Sequence, residues 1–254
     1  MSHPERRMQQ VGLDRLIRLR WLEEAARLQR EDILPEEIQR ALGYYLAPHF
    51  RTTATTVRGS LDKTRTILMR TWVRVPPGMA GFRDQGLGLL ELRPHEAVAI
   101  HWGMIGATYP FWNAVALQVG RLLRLQEDLT SAQAQRRMRE AFGERETVSR
   151  RVRYVLRAFI DWKVLEQAGA AGHYRCGPNT PLENPAGIAW LVEALLYAQP
   201  NHKAFLGDLL ASPALFPFRL ASVTSAEIVS NSSRLELKRQ CLDSELIEIR
   251  TSGQ

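Results

Sequence analysis

Eight arginines, Arg136, Arg137, Arg139, Arg145, Arg150, Arg151, Arg153 and Arg157, fall between Gln135 and Arg157 against three glutamates, Glu140, Glu144 and Glu146. A guanidinium is planar, always charged and carries its donors in a fork. It therefore bonds phosphate oxygens or a guanine edge in pairs. Spacing decides which of these cations could act together. Val148, Val152, Val155, Leu156, Phe159 and Ile160 recur at helical intervals and form an apolar stripe, with Ser149, Arg150, Arg153 and Arg157 on the opposite face and Arg151 on its flank. The chemistry predicted for that face is contact with double-stranded DNA. Arg150, Arg153 and Arg157 would meet base edges or phosphates, Ser149 would bond a phosphate, and Arg145 lies just ahead of them. A solvated basic face is the alternative for the same residues.

A second basic cluster lies between Arg51 and Arg74. There Arg58, Lys63, Arg65 and Arg70, with Arg51 and Arg74, are opposed only by Asp62. The threonine- and serine-rich lead-in to it supplies hydroxyls of the kind that bond phosphate oxygens. These side chains read either as DNA-backbone contacts or as a solvated face.

Catalytic constellations are not visible. Asp161 and Glu166 flank Trp162 and read as surface charges at a helix end. Ser60, Ser149 and Ser233 lack an elbow motif. His173 stands three residues before Cys176, which in a strand puts the two on opposite faces. His95 and His101 are six apart and share no helical face, so no metal site is expected. The glycines between Val75 and Leu92 carry no Gly-Lys-Ser/Thr signature for a nucleotide phosphate. The chain reads as a binder without a cofactor rather than an enzyme.

Elements must hold the arginines in place. Thr130 or Ser131 can cap a helix from Ala132 to Phe142, with Gly143 as its stop. A second helix starts at Glu146 and Thr147 with acid in its first turn. Lys163-Val164-Leu165, the run Gln167 to Gly172 and His173 to Cys176 then read as a β-hairpin, from which Arg175 would touch the adjacent DNA backbone. The apolar stretch Phe111 to Leu125 supplies a helix to pack beneath. Helix, helix, turn, helix and hairpin is the layout of a winged helix-turn-helix.

Upstream, Leu13 to Leu28 is an amphipathic helix, and Pro35 opens a second one that stops before Pro48. The pair reads as a helical hairpin or as another helix-turn-helix. Ser60 can cap a helix to about Val73. Val75 to Leu92 is rich in proline and glycine and reads as a loop or boundary. Pro94 to Gly106 is helical. Downstream, Gly177 to Pro185 is a linker. Ile188 to Tyr197 and Asn201 to Leu210 read as helices, Leu215 to Leu220 as extended, and Thr224 to Val229 as a short capped helix. Arg234 to Arg239 and Glu245 to Arg250 alternate as strands. The tail is thus a small α+β unit, either a second winged fold or a protein-docking module, and the chain shows no internal sequence repeat. The expected fold is mainly α, in three parts: an N-terminal helical region (1–92), a winged helix-turn-helix domain (93–177) and the small α+β unit (185–254).

Composition is consistent with an ordinary core. The chain has 254 residues, 45% of them hydrophobic, and six tryptophans that argue against disorder. Its net charge of +7 suits nucleic acid or an acidic partner. Two cysteines, Cys176 and Cys241, are too few for a disulfide framework, so a reducing cytoplasm is the expected setting. The start, MSHPERRMQQ, has no apolar signal core, and the apolar stretch from Ile100 to Val119 is broken by His101, Pro110, Asn113 and Gln118, so no membrane partner is expected.

The early helix pair WLEEAARLQREDILPEEIQRAL, the basic run TTVRGSLDKTRTILMRTW and the stretch from Phe111 to Cys176 together resemble the BrxA-type proteins of BREX phage-defence loci. The likeness covers roughly the first 176 residues and lies in the order of elements rather than in a diagnostic motif. It implies an N-terminal helical region ahead of a winged helix, DNA binding, and action alongside other defence-system subunits. The aromatic residues Phe205, Phe216 and Phe218 favour a different reading, a protein-interaction scaffold in a larger assembly.

Overall fold

The computed structural model describes residues 10–50, 59–241 and 244–250. Leu13 (φ 58°) and Ile17 are buried in an irregular lead-in, and regular helix begins only with α1 (Leu19–Arg30). The expected start at Leu13 is therefore too early. The reason lies far along the chain. No side chain of its own caps α1; instead Asp161 accepts from the Leu19 amide at 3.2 Å and from Arg18 Nη1 at 2.8 Å. Trp162 Nε1 donates to the Ile17 carbonyl at 3.0 Å beside it. Asp161 is thus a half-buried cap at a helix N-terminus, where the dipole favours a carboxylate, and not a surface charge.

Pro35 occupies the first turn of α2 (Pro35–Leu46), as its fixed φ suits. Helix α3 (Ser60–Leu68) has Gly59, not Ser60, at its N-cap, and it widens into a π-helical turn over Met69–Val73. The stretch expected to be a loop instead holds α4 (Ala80–Leu92). Its glycines lower helix propensity, and packing overrides that. A Cβ on Gly86 would lie 2.7 Å from Trp190 Cζ2, so a glycine is what lets the Trp190 ring approach. The ring stacks on Phe82 with centroids 4.3 Å apart, and its Nε1 donates to the Phe82 carbonyl at 3.0 Å.

Helix α5 (Ala97–Thr108) is buried from Ala99 onward and runs through the centre of the molecule. Gly103 grips the other side of Trp190, its nearest ring atom being Cζ3. Gly103→Ala is expected to destabilise the fold by about 1–3 kcal/mol, the usual cost of overpacking, read from the urea midpoint. On the same helix, Trp72 Nε1 donates to His101 Nδ1 at 3.2 Å. Burial, reinforced by Arg30, pushes the His101 pKa down to about 3. This histidine is neutral core.

Then come α6 (Pro110–Leu125), β1 (Asp128–Thr130), α7 (Ser131–Phe142), α8 (Glu146–Asp161), β2 (Leu165–Gln167) and β3 (His173–Cys176). The three strands form an antiparallel sheet in the order β1-β3-β2, with Asp128 opposite Arg175 and Leu165 opposite Cys176. Strand β1 has no sequence signature of its own; three residues are too short for alternation to register.

The expected linker contains β4 (Thr180–Leu182), which pairs in parallel with β6 (Phe218–Leu220). Between and after them lie α9 (Pro185–Tyr197), β5 (Lys203–Phe205), α10 (Leu206–Leu210), α11 (Ser225–Ser230), β7 (Leu235–Cys241) and β8 (Ser244–Ile249). The helix expected from Asn201 is thus confined to α10. The second antiparallel sheet runs in the order β5-β8-β7. Set beside the first, this is the same plan of helix, strand, helix, helix, strand, turn, strand with the last strand in the middle, except that β6 is inserted between α10 and α11. The chain repeats a topology without repeating a sequence.

One apolar core runs through the N-terminal helices and both sheet-bearing units. At its centre Trp102 meets Trp112 at 5.2 Å, Phe159 at 4.8 Å and both Phe216 and Phe218 at 5.7 Å. Phe216 and Phe218 therefore pack inward, while Phe205 is partly exposed. A polar lock closes the other side. Glu193 of α9, fully buried, accepts from Arg234 Nε at 2.6 Å, from Arg234 Nη2 at 3.0 Å and from the Ser232 hydroxyl at 2.8 Å. Arg234 also reaches Gln85 of α4, whose Nε2 donates to the Asn231 carbonyl at 2.9 Å. Among the described residues no helix is long and apolar enough to cross a membrane.

Candidate nucleic-acid interface

The arginine-bearing helices are set by local chemistry. Thr130 Oγ1 accepts from the Gln133 amide at 3.1 Å, and Gln133 Oε1 accepts from the Thr130 amide at 2.7 Å, a reciprocal cap that starts α7. Gly143, at φ 92°, ends it in a backbone region that side-chain-bearing residues rarely enter. Arg145 Nη2 then donates to the Phe142 carbonyl at 2.9 Å and braces the turn into α8.

Helix α8 buries Val148, Val152, Val155, Leu156 and Phe159, as the periodicity predicts. Ser149 departs from the reading. It is 4% exposed and accepts from Arg139 Nη1 at 3.1 Å, so its hydroxyl is turned to α7 and is not available to a phosphate. A small hydroxyl fits where two helices close on each other, and burial obliges it to take a partner. Arg151 is half-buried, and its Nε is enclosed without a hydrogen-bond partner among the described residues.

The exposed face carries Glu146, Arg150, Arg153 and Arg157, one to two turns apart. Their partners differ. Arg153 Nη2 pairs with Glu146 at 3.0 Å. Arg150 and Arg157 have no hydrogen bond or ion pair to any described residue. On α7, Arg136 and Arg137 share Glu140, whose carboxyl is held below the usual range, chiefly by the Arg136 hydrogen bond; Arg139 pairs with Glu144 at 2.8 Å. On the hairpin, Arg175 is tied to Glu166 across the strand pair at 3.0 Å. The turn between β2 and β3 is Ala168-Gly169-Ala170-Ala171-Gly172, with both glycines at positive φ and no cation at the tip.

In the N-terminal cluster, Arg58 and the threonine-rich lead-in at 51–58 lie outside the described residues. The others are engaged. Lys63 pairs with Asp14 at 3.6 Å, Arg65 with Asp62 at 2.7 Å and Arg74 with Glu36 at 2.8 Å; Arg70 sits 5.6 Å over the Tyr109 ring. Arg65, Arg70 and Arg74 line an open cleft of about 480 Å³ with Gln39 and Pro76. No hydrogen bond or ion pair among the described residues joins this cluster to the α8 arginines. What sequence reasoning missed is the pairing itself. Glu146 and Arg153 are seven apart, a same-face interval that was legible as a candidate pair.

Among the described residues no group of three or more histidine, cysteine, aspartate or glutamate side chains is placed to hold a metal ion. Comparison of the chain with protein-family models, with curated proteins and with solved structures gives no match.

Proposed function

We propose that this chain is a non-enzymatic double-stranded DNA-binding protein, read out by a winged helix spanning Pro110 to Cys176. The observation that carries the reading is the α8 face, where Arg150 and Arg157 stand exposed with no partner among the described residues, while Arg139, Arg153 and Arg175 nearby are each paired with a glutamate. The sheet order β1-β3-β2 behind two helices joined by a tight turn supports the module, because it sets the second helix outward for a major groove. The order β5-β8-β7 supports a second winged unit, one that does not read DNA: its outward helix α11 carries no cation. The resemblance to BrxA-type proteins extends the proposal to a cytoplasmic phage-defence accessory acting with other subunits. A docking scaffold is less favoured, since Phe216 and Phe218 are spent in the core.

The test is a mobility-shift titration at two salt concentrations. Binding is expected at low salt, and log affinity should fall against log salt by about 0.9 per phosphate neutralised. A protein that shifts no duplex at low salt does not have this function.

A further inference from the structure

We propose that Glu146 is a specificity-determining residue of the α8 face, selecting a cytosine and penalising other sequences. The inference rests on the DNA-binding reading. Glu146 is the first residue of α8, and its side chain is 74% exposed in line with Arg150, Arg153 and Arg157. A carboxylate among cations that would face phosphates is a repulsive element, and repulsion is how a binding surface rejects the wrong partner. Cytosine offsets it best in the major groove: its N4 amino group donates to Glu or Asp, whereas the N6 donor of adenine stands beside the N7 acceptor, which repels a carboxylate. In the free protein Glu146 is occupied by Arg153, whose side chain is 50% exposed. A pair this solvated is weakly held and opens readily. On a matching site Glu146 would take the cytosine amino group and release Arg153 to a phosphate. On other sequences Glu146 stays with Arg153 and withholds that contact.

The experiment selects duplexes from a random pool with the wild-type chain. It then measures affinity for the selected and a random duplex at two salt concentrations by fluorescence anisotropy. Glu146→Gln is the variant. Glu140→Gln, which removes the same charge from α7, is the control, and thermal melts confirm that both are folded. Glu146→Gln is expected to bind the random duplex about fivefold more tightly than wild type, with a salt slope steeper by about 0.9 as Arg153 gains a phosphate. Its preference for the selected duplex should drop about tenfold, and repeated selection should lose the cytosine. If Glu146→Gln behaves as Glu140→Gln does, or keeps the cytosine, the inference falls while DNA binding stands. If the wild-type chain binds no duplex at low salt, both fall.

Discussion

Replacing Arg150 and Arg157 together with alanine is expected to weaken duplex binding about a hundredfold at low salt and to flatten the salt slope by nearly two. These two arginines have no partner within the described residues, so their donors are free for DNA without an internal bond having to break first. A well-made arginine contact to a base contributes about 1–3 kcal/mol, and each 1.4 kcal/mol is a factor of ten. Arg65→Ala/Arg70→Ala should cost only a few-fold, equally on every sequence. Arg65 already holds Asp62 and Arg70 lies on Tyr109, so a phosphate would replace interactions rather than add them. Anisotropy titrations on selected and random duplexes separate the two. The reverse ranking, with the α8 double binding like wild type and the Arg65/Arg70 double losing all binding, would move the DNA surface to the N-terminal half.

Glu193→Ala is expected to destabilise the fold by about 3 kcal/mol, the lower part of the range for breaking a buried ion pair. Glu193 is fully buried, and its removal leaves Arg234 and the Ser232 hydroxyl without their acceptor. Arg234 is 24% exposed and recovers some hydration, which is why the lower part of the range applies. Removing both charges as Glu193→Gln/Arg234→Met should cost less than the single change, because no lone charge is left inside. Urea unfolding measures both variants. Since one core runs through the chain, a single transition with an unchanged slope is expected. A Glu193→Ala midpoint equal to wild type would mean that the network does not hold α4 and the C-terminal strands to α9.

Helices α7 and α8 and the β2–β3 hairpin were legible in the sequence because their causes are local. A reciprocal cap at Thr130 and Gln133, a stop at Gly143, a stripe at helical spacing and two turn glycines all act within a few residues. The same holds for β7 and β8, where alternation over six or seven residues is enough. Elements shaped by distant partners could not be read this way. Helix α4 has the composition of a loop and is helical because Trp190 fills the space at Gly86. The first turn of α1 is placed by Asp161, and β4 exists only because β6 returns beside it.

The candidate site divides along the same line. Residue types and spacing determined that arginines would share a face of α8, since the helical period alone puts Arg150, Arg153 and Arg157 together. Only tertiary structure decided which of them are free. Ser149 went to the α7 contact and Arg175 to Glu166, because both depend on distances across elements that no local pattern encodes; on α8 itself the spacing offers Glu146 either Arg150 or Arg153, and only the side-chain geometry decides for Arg153.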